Sequence, residues 1–332
     1  MLEAVTRALE GARTVVMTAP SDLDADAIGA LEALRLGIAR RWPAAQVCIV
    51  LDEPVPPTLQ FICDSEHFHE ASAVDVRATD VAVVVDGDPR RLQQAGPHFT
   101  AAACTVMVDH HRSSADAPVD ARVFDPAEAS TTRLVLTLLD HWGVALDAPI
   151  ATALYAGLVF DTGAFRYRNT TPDTLRAAAR LVEAGVDHTT VIERILLEQG
   201  EGKARLRGRI LGRFRRAADG RIAYAGLSEA EGREGNTGGI VDELIFLRGV
   251  EVGILLTARG RGLVKVSLRS RSDLDVAAIA QTLAPRGGGH RQAAGATIEG
   301  SLKAVTERVV AAVEAAMAAA APPSAPPAAE SA

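Results

Sequence analysis

Residues 81–111 read VAVVVDGDPRRLQQAGPHFTAAACTVMVDHH. Two apolar runs stand out, Val81–Val85 and Thr105–Val108, each followed at once by an aspartate. A continuous β-branched run without polar alternation is what a strand buried on both faces requires. Towards the N-terminus the same pattern recurs at Val15–Met17 and Val47–Leu51. Between those two, residues 26–41 carry Ile28, Leu31, Leu34 and Ile38 at helical spacing. The alternation predicts an α/β domain, a parallel sheet with helices on both faces. Such sheets bind ligands beyond the carboxyl ends of their strands.

The residues just past those strands are acids and imidazoles. Ser21-Asp22-Leu23-Asp24-Ala25-Asp26 lies between a strand and a helix. Asp24 and Asp26, two apart on a loop, can both turn towards one point, although a capping cluster at a helix start would have the same composition. Asp86 follows the Val81–Val85 run, where an ordinary turn residue could also stand. Asp109-His110-His111 follows Thr105–Val108, and Asp161 closes the apolar stretch Gly157–Phe160. Together these make an oxygen and imidazole set without thiolate, suited to manganese or magnesium rather than structural zinc. Carboxylates converging on one pocket can hold two metals about 3.5–4 Å apart, an arrangement that activates water against phosphorus.

Past about residue 129 the chain reads as mostly helical through 216. Thr171-Pro172-Asp173 has the form of an N-cap followed by proline at the first helical position. Residues 203–216 hold Lys203, Arg205, Arg207, Arg209, Arg213, Arg215 and Arg216 and no acid. This segment is either a solvated charged face or a wall that attracts a polyanion. Strand-like runs return at Ile222–Tyr224, Val252–Leu256 and Leu263–Leu268, followed by an amphipathic helix over 300–316. The expected domains are therefore 1–190, a helical linker over 191–217, a smaller α/β domain over 218–316 and a disordered Ala/Pro/Ser-rich tail over 317–332.

The whole chain has 332 residues and a formal charge of −7. A chain of this size can bury roughly three quarters of its unfolded surface, so its core needs no disulfides. Cys48, Cys63 and Cys104 are odd in number and scattered, as in a reducing compartment. No apolar run reaches the ~18 residues of a membrane span, and the N-terminus does not read as a secretory signal. A cytoplasmic protein without membrane partners is expected. Aromatic residues are only 4%, so a stacking platform on single-stranded nucleic acid would have few members. Residues 1–190 carry 26 acidic and 15 basic side chains, and residues 191–332 carry 16 and 20. An acidic half that can hold cations is thus joined to a basic half that can hold anions.

Asp109-His110-His111 resembles the signature of the DHH phosphoesterases, and the acidic loop, Asp86 and Asp161-Thr162-Gly163 occur in that family's order. Gly287-Gly288-Gly289-His290, preceded by Val266-Ser267-Leu268-Arg269-Ser270, resembles the DHH-associated (DHHA1) domain. The layout is most similar to the NrnA-type branch of oligoribonucleases and adenosine 3′,5′-bisphosphate phosphatases, which also includes cyclic-dinucleotide phosphodiesterases. The resemblance implies two divalent metals, Mn²⁺ ahead of Mg²⁺. It places Asp24 on one metal and Asp26 on the other, Asp86 on both, and His110 and Asp161 on the second. His111 would face the phosphate, and Asp109 would orient the imidazoles. Gly288 and Gly289 would let backbone N–H groups approach a nucleotide, with His290 and Arg269 donating to its phosphate. No separate protein base is implied. The expected partners are short RNA or DNA oligonucleotides or small nucleotides, with a homodimer as a further expectation.

One position departs from that pattern. The branch usually has a histidine where Pro20 stands, four residues before Asp24. Proline cannot ligate a metal, so the first metal site is expected to be weak. This keeps open a second function, a nucleotide-binding sensor with weakened catalysis. Hydrolysis of polyphosphate or pyrophosphate is a third.

Overall fold

The computed structural model describes residues 1–198, 200–234, 237–285 and 287–320. The chain divides into two compact units, Met1–Glu198 and Gln199–Ala332.

In the first unit the strands are β1 (Thr14–Thr18), β2 (Gln46–Leu51), β3 (Phe68–Glu70), β4 (Val81–Val85), β5 (Cys104–Asp109) and β6 (Ala121–Phe124). They form one sheet in the order β3-β2-β1-β4-β5-β6, and every pairing is parallel. The helices are α1 (Leu2–Leu9), α2 (Ala25–Arg41), α3 (Gly96–Thr100), α4 (Thr131–His141), α5 (Ala148–Thr162), α6 (Pro172–Glu183) and α7 (His188–Ile192).

The two-residue period of the strands sorts their side chains. Val15, Met17, Val81, Val83, Val85, Val106 and Val108 join the core packed by α2, α4 and α5. Val16, Ala82, Val84 and Met107 join a second core containing Ala95 and Phe99. The sheet is therefore covered on both faces, which is why its central strands read as unbroken apolar runs. The short strands β3 and β6 lacked such a run and were not foreseen.

Helices α2 and α5 cross closely. A Cβ added at Gly29 would lie 2.2 Å from the Ala153 carbonyl oxygen. Only glycine there admits the α5 backbone, so α2 and α5 can bring their functional ends together.

The second unit holds α8 (Glu201–Arg213), β7 (Arg215–Ala217), β8 (Ile222–Leu227), α9 (Glu229–Arg233), α10 (Val241–Ile245), β9 (Val252–Arg259), β10 (Leu263–Ser270), α11 (Val276–Leu283), β11 (Gly288–His290), β12 (Ala293–Glu299) and α12 (Leu302–Ala320). Its sheet runs β11-β12-β10-β9-β8-β7; β8 and β9 are parallel and the other neighbours antiparallel.

Three expectations need correction. The helical stretch stops at Arg213, and Arg215 and Arg216 lie on the edge strand β7. Helix α8 is not a bare linker, because Leu206 and Ile210 are buried against Ala223, Leu244 and Leu255. Residues 317–320, expected in the tail, belong to α12, with Met317 in the core; the rest of that stretch, 321–332, lies outside the described residues.

The basic face of α8 is paired locally. Arg205 binds Glu201, Arg207 binds Glu243, Arg209 binds Glu234 and Arg213 binds Glu231. Arginines matched by acids of their own unit have little charge left to attract a polyanion.

Candidate metal centre

Each group of interest stands where a strand or helix ends. Asp24 is the N-cap of α2, and its Oδ1 accepts hydrogen bonds from the Asp26 and Ala27 amides at 2.9 and 3.0 Å. Asp86 follows β4 with φ of 56°, in the left-handed region. Asp109 ends β5, so His110 and His111 begin the loop beyond it. Asp161 lies in the last turn of α5, which stops at Gly163 in the left-handed conformation.

The fold brings these distant residues together. One carboxylate oxygen or ring nitrogen from each of Asp26, His110 and Asp161 lies within 4.8 Å of the others, and the same holds for Asp86, His110 and His111. His110 belongs to both groups. Its Nε2 is 3.1 Å from Asp161 Oδ2 and 3.9 Å from Asp86 Oδ1, while its Nδ1 lies 3.2 Å from the Glu128 carbonyl oxygen. His111 Nδ1 is 2.8 Å from Asp109 Oδ1 and 3.6 Å from Asp86 Oδ1. Asp24 belongs to neither group. It lines a cleft of about 130 Å³ with Pro20, Ser21, Asp22, Asp86, Arg91 and His111.

Asp26 is fully buried. Its Oδ2 accepts from the Thr131 amide at 2.6 Å, and its Oδ1 accepts from the Thr132 amide and hydroxyl at 2.9 and 2.6 Å. The positive end of α4 thus faces the carboxylate. Thr131 also donates its hydroxyl to Asp86 Oδ1 at 2.9 Å. Asn169 donates to the Ala129 and Asp161 carbonyl oxygens, tying the start of α4 to the end of α5. Sequence reading missed Thr131, Thr132, Asn169 and Arg91. The available signal was Ser130-Thr131-Thr132 before an apolar helical stripe, a helix-start signature.

Crowded acids without a counter-ion resist ionisation. Burial, then Asp161 and Asp26, push Asp24 up to about 7. Burial and Asp26 raise Asp161 to about 6, against the pull of His110. Burial, then Asp26, Asp24, Asp161 and Asp109, hold Asp86 well above the usual carboxylate range. For His110 burial opposes the charge, yet the bond to Asp161 and its charge prevail and raise it to about 9. Burial also works against Asp109, but the hydrogen bond and charge of His111 outweigh it and lower its pKa. The donors are oxygen and imidazole nitrogen only, and their mutual repulsion is what a divalent cation relieves. The residues therefore fit a hard or borderline cation such as manganese or magnesium.

In the second unit, Arg269 on β10 pairs in register with Ala293 on β12, and Ala293 pairs with His290 on β11. Directly opposed residues share a face, so Arg269 and His290 flank the small Ala293, two strand spacings or about 10 Å apart. Arg269 Nε is 2.9 Å from Asp242 Oδ1. Arg271 and Arg291 are each held by a backbone carbonyl, Ile245 and Asp273 respectively.

The three glycines differ. A Cβ at Gly287 would lie 2.0 Å from the Ala280 oxygen, and one at Gly289 (φ +137°) would lie 2.4 Å from the Ala293 oxygen. Both are needed for packing. At Gly288 the nearest atom to such a Cβ is 3.9 Å away. Gly288→Ala is therefore expected to leave the melting temperature unchanged, and Gly289→Ala to lower it. A rise in KM for Gly288→Ala alone would mark that glycine as a point of substrate approach.

The C-terminal unit matches the model of the DHHA1 domain over residues 219–319. Across 313 residues the chain is 31% identical to the bifunctional oligoribonuclease and PAP phosphatase NrnA of Thermus thermophilus, covering 94% of this chain and 92% of that protein. An exopolyphosphatase-related protein from Bacteroides fragilis has the same fold, with a TM-score of 0.85 at 22% identity over 96% of this chain and 95% of the other. RecJ from Thermus thermophilus, solved in complex with Mn²⁺, aligns with a TM-score of 0.54 at 16% identity, over 97% of this chain and 54% of RecJ. Among the described residues, no helix is long and apolar enough to cross a membrane.

Proposed function

Because this chain belongs to the DHH phosphoesterases, in their NrnA-type branch with a C-terminal DHHA1 domain, we propose that it hydrolyses phosphate esters of short oligonucleotides, dinucleotides or adenosine 3′,5′-bisphosphate with two divalent metals, manganese foremost. The observation that carries this reading is that Asp26, Asp86 and Asp161, from three separate segments, each belong with His110 to a donor group. The oligoribonuclease and PAP phosphatase activities in the relative's name are the reason for the substrate class. Cyclic dinucleotides are a further candidate.

Bound divalent cations lower the pKa of water and neutralise charge on phosphoryl oxygens. The chain's own residues do the rest. Asp26, Asp86, His110 and Asp161 would hold the cations, with Asp24 on the cleft side. Asp109 keeps the His111 ring oriented, so that His111 presents its other nitrogen to a phosphoryl oxygen. The Glu128 carbonyl accepts from His110 Nδ1–H, which leaves Nε2 as the ligating atom. Arg269 and His290 of the second unit would donate to a nucleotide phosphate. No side chain is required as general base.

The test is incubation of the pure protein and Mn²⁺ with a panel of dinucleotides, cyclic dinucleotides and adenosine 3′,5′-bisphosphate. Release of mononucleotide or phosphate supports the reading. Absence of turnover by folded, metal-loaded protein rejects it. Light scattering on the same sample tests the homodimer.

Protons compete with the cation. Asp24 near 7 and Asp161 near 6 must lose theirs, and His110 near 9 must become neutral. Mn²⁺ affinity is therefore expected to rise from pH 6 towards pH 9, by about tenfold per pH unit for each proton displaced. Calorimetry in buffers of different ionisation enthalpy measures the protons released, and a flat profile contradicts the assignment.

Pro20 favours a second reading, a nucleotide-binding regulator. It lies in the cleft wall with Asp24 and Asp86, and its Cγ would be 2.8 Å from a Cβ at Gly87. Binding without turnover by the same panel supports that reading, and Pro20→His should then raise activity sharply.

A further inference from the structure

We propose that Thr131 is a positioning residue that sets two carboxylates of the centre, Asp26 and Asp86, at fixed places relative to each other. The inference rests on the metal-centre reading but concerns a residue outside its donor groups. Thr131 is fully buried at the first position of α4. Its backbone N–H donates to Asp26 Oδ2 at 2.6 Å and its hydroxyl to Asp86 Oδ1 at 2.9 Å. Two aspartates sixty residues apart in sequence are thus bound by donors of one residue.

The chemistry explains why a hydroxyl stands there. Asp86 Oδ1 is also the oxygen that lies 3.6 Å from His111 Nδ1 and 3.9 Å from His110 Nε2. A carboxylate oxygen has two lone pairs. Filling one of them with the Thr131 proton fixes the plane of the carboxylate and leaves the other acceptor positions for a cation.

The remainder of the turn is held independently. Ser130 Oγ accepts from the Arg133 amide as the N-cap of α4 and sits 2.8 Å from Thr132 Oγ1, which donates to Asp26 Oδ1. Loss of the Thr131 hydroxyl therefore leaves the cap and all three Asp26 bonds intact. Valine has nearly the same shape as threonine, so the exchange removes one donor and little else.

The experiment measures Mn²⁺ affinity by calorimetry and the melting temperature of the metal-free protein for wild type, Thr131→Val, Thr131→Ser and Asp161→Ala. The expected result is that Thr131→Val weakens Mn²⁺ binding by about 10- to 100-fold, the range for residues that orient ligands. Thr131→Ser, which keeps the hydroxyl, restores affinity to within a few-fold, and the metal-free melting temperatures of the two variants agree. Wild-type affinity in Thr131→Val overturns the proposal, and so does an equal loss in the valine and serine variants. If the valine variant does not fold, Thr131→Ala replaces it and is read against serine in the same way. Failure of the wild type to bind Mn²⁺ overturns the metal-centre reading instead. Tight binding that Asp161→Ala abolishes and Thr131→Val leaves intact overturns this inference alone.

Discussion

Asp86→Asn is expected to lower phosphoester hydrolysis on the order of 10³-fold while raising the melting temperature of the metal-free protein by a few degrees. Several kcal/mol of transition-state stabilisation come from a metal site, and each ~1.4 kcal/mol is tenfold in rate. Asparagine is chosen because Asp86 has φ of 56°; asparagine tolerates that region, whereas alanine adds strain. The gain in stability follows from linkage. Burial, then Asp26, Asp24 and Asp161, hold the Asp86 carboxyl well above the usual carboxylate range, and Asp24 and Asp161 beside it stand at about 7 and 6. Such groups contribute stability below their unfolded pKa and lose it as pH rises through the folded value. The metal-free protein is therefore weakened as pH rises above about 4, and asparagine, which cannot ionise, removes the share of that loss that Asp86 contributes. Thermal melts of both forms with and without Mn²⁺ check this. Retained activity would falsify the role of Asp86, and a lower metal-free melting temperature would contradict the repulsion.

Gly157→Ala is expected to destabilise the protein by about 2 kcal/mol and to weaken Mn²⁺ binding at least about tenfold. An added Cβ would lie 2.4 Å from Asp26 Oδ1 and 2.5 and 2.6 Å from Thr132 Cγ2 and Oγ1. Helix propensity alone favours alanine over glycine by about 1 kcal/mol. Overpacking costs roughly 1–3 kcal/mol. Here the upper end applies, because the atoms it meets are locked in the Asp26–Thr132 hydrogen bonds. Gly208→Ala in α8 is the control, since a Cβ there meets nothing within 4 Å. It should gain about 0.5–1 kcal/mol. Denaturant melts of the two variants must therefore shift in opposite directions, and a stabilised Gly157→Ala would show that α5 does not constrain the centre.

Much of this candidate centre was legible because its acids and histidines follow local patterns. A β-branched run ending in an acid marks a strand end, which is how Asp86 and Asp109 were found beside Val85 and Val108. The supporting groups had no such mark. Thr131 and Thr132 read as an ordinary helix start, and the Glu128 carbonyl is backbone that any residue supplies. Asn169 carries no pattern that ties it to Asp161. The sequence left the basic face of α8 undecided for a similar reason, because its partners Glu231, Glu234 and Glu243 come from later in the chain.

The amino-acid order by itself determined the parallel sheet with two covered faces, the acids and histidines at its strand ends and the family to which the chain belongs, since hydrophobic periodicity and short motifs are properties of neighbouring residues. Only the tertiary structure decided that His110 joins two donor groups, that Asp26 is clamped by the start of α4, and that Gly287 and Gly289 serve packing whereas Gly288 stands open. Those facts depend on distances between segments far apart along the chain, and close packing sets such distances without leaving a local signal.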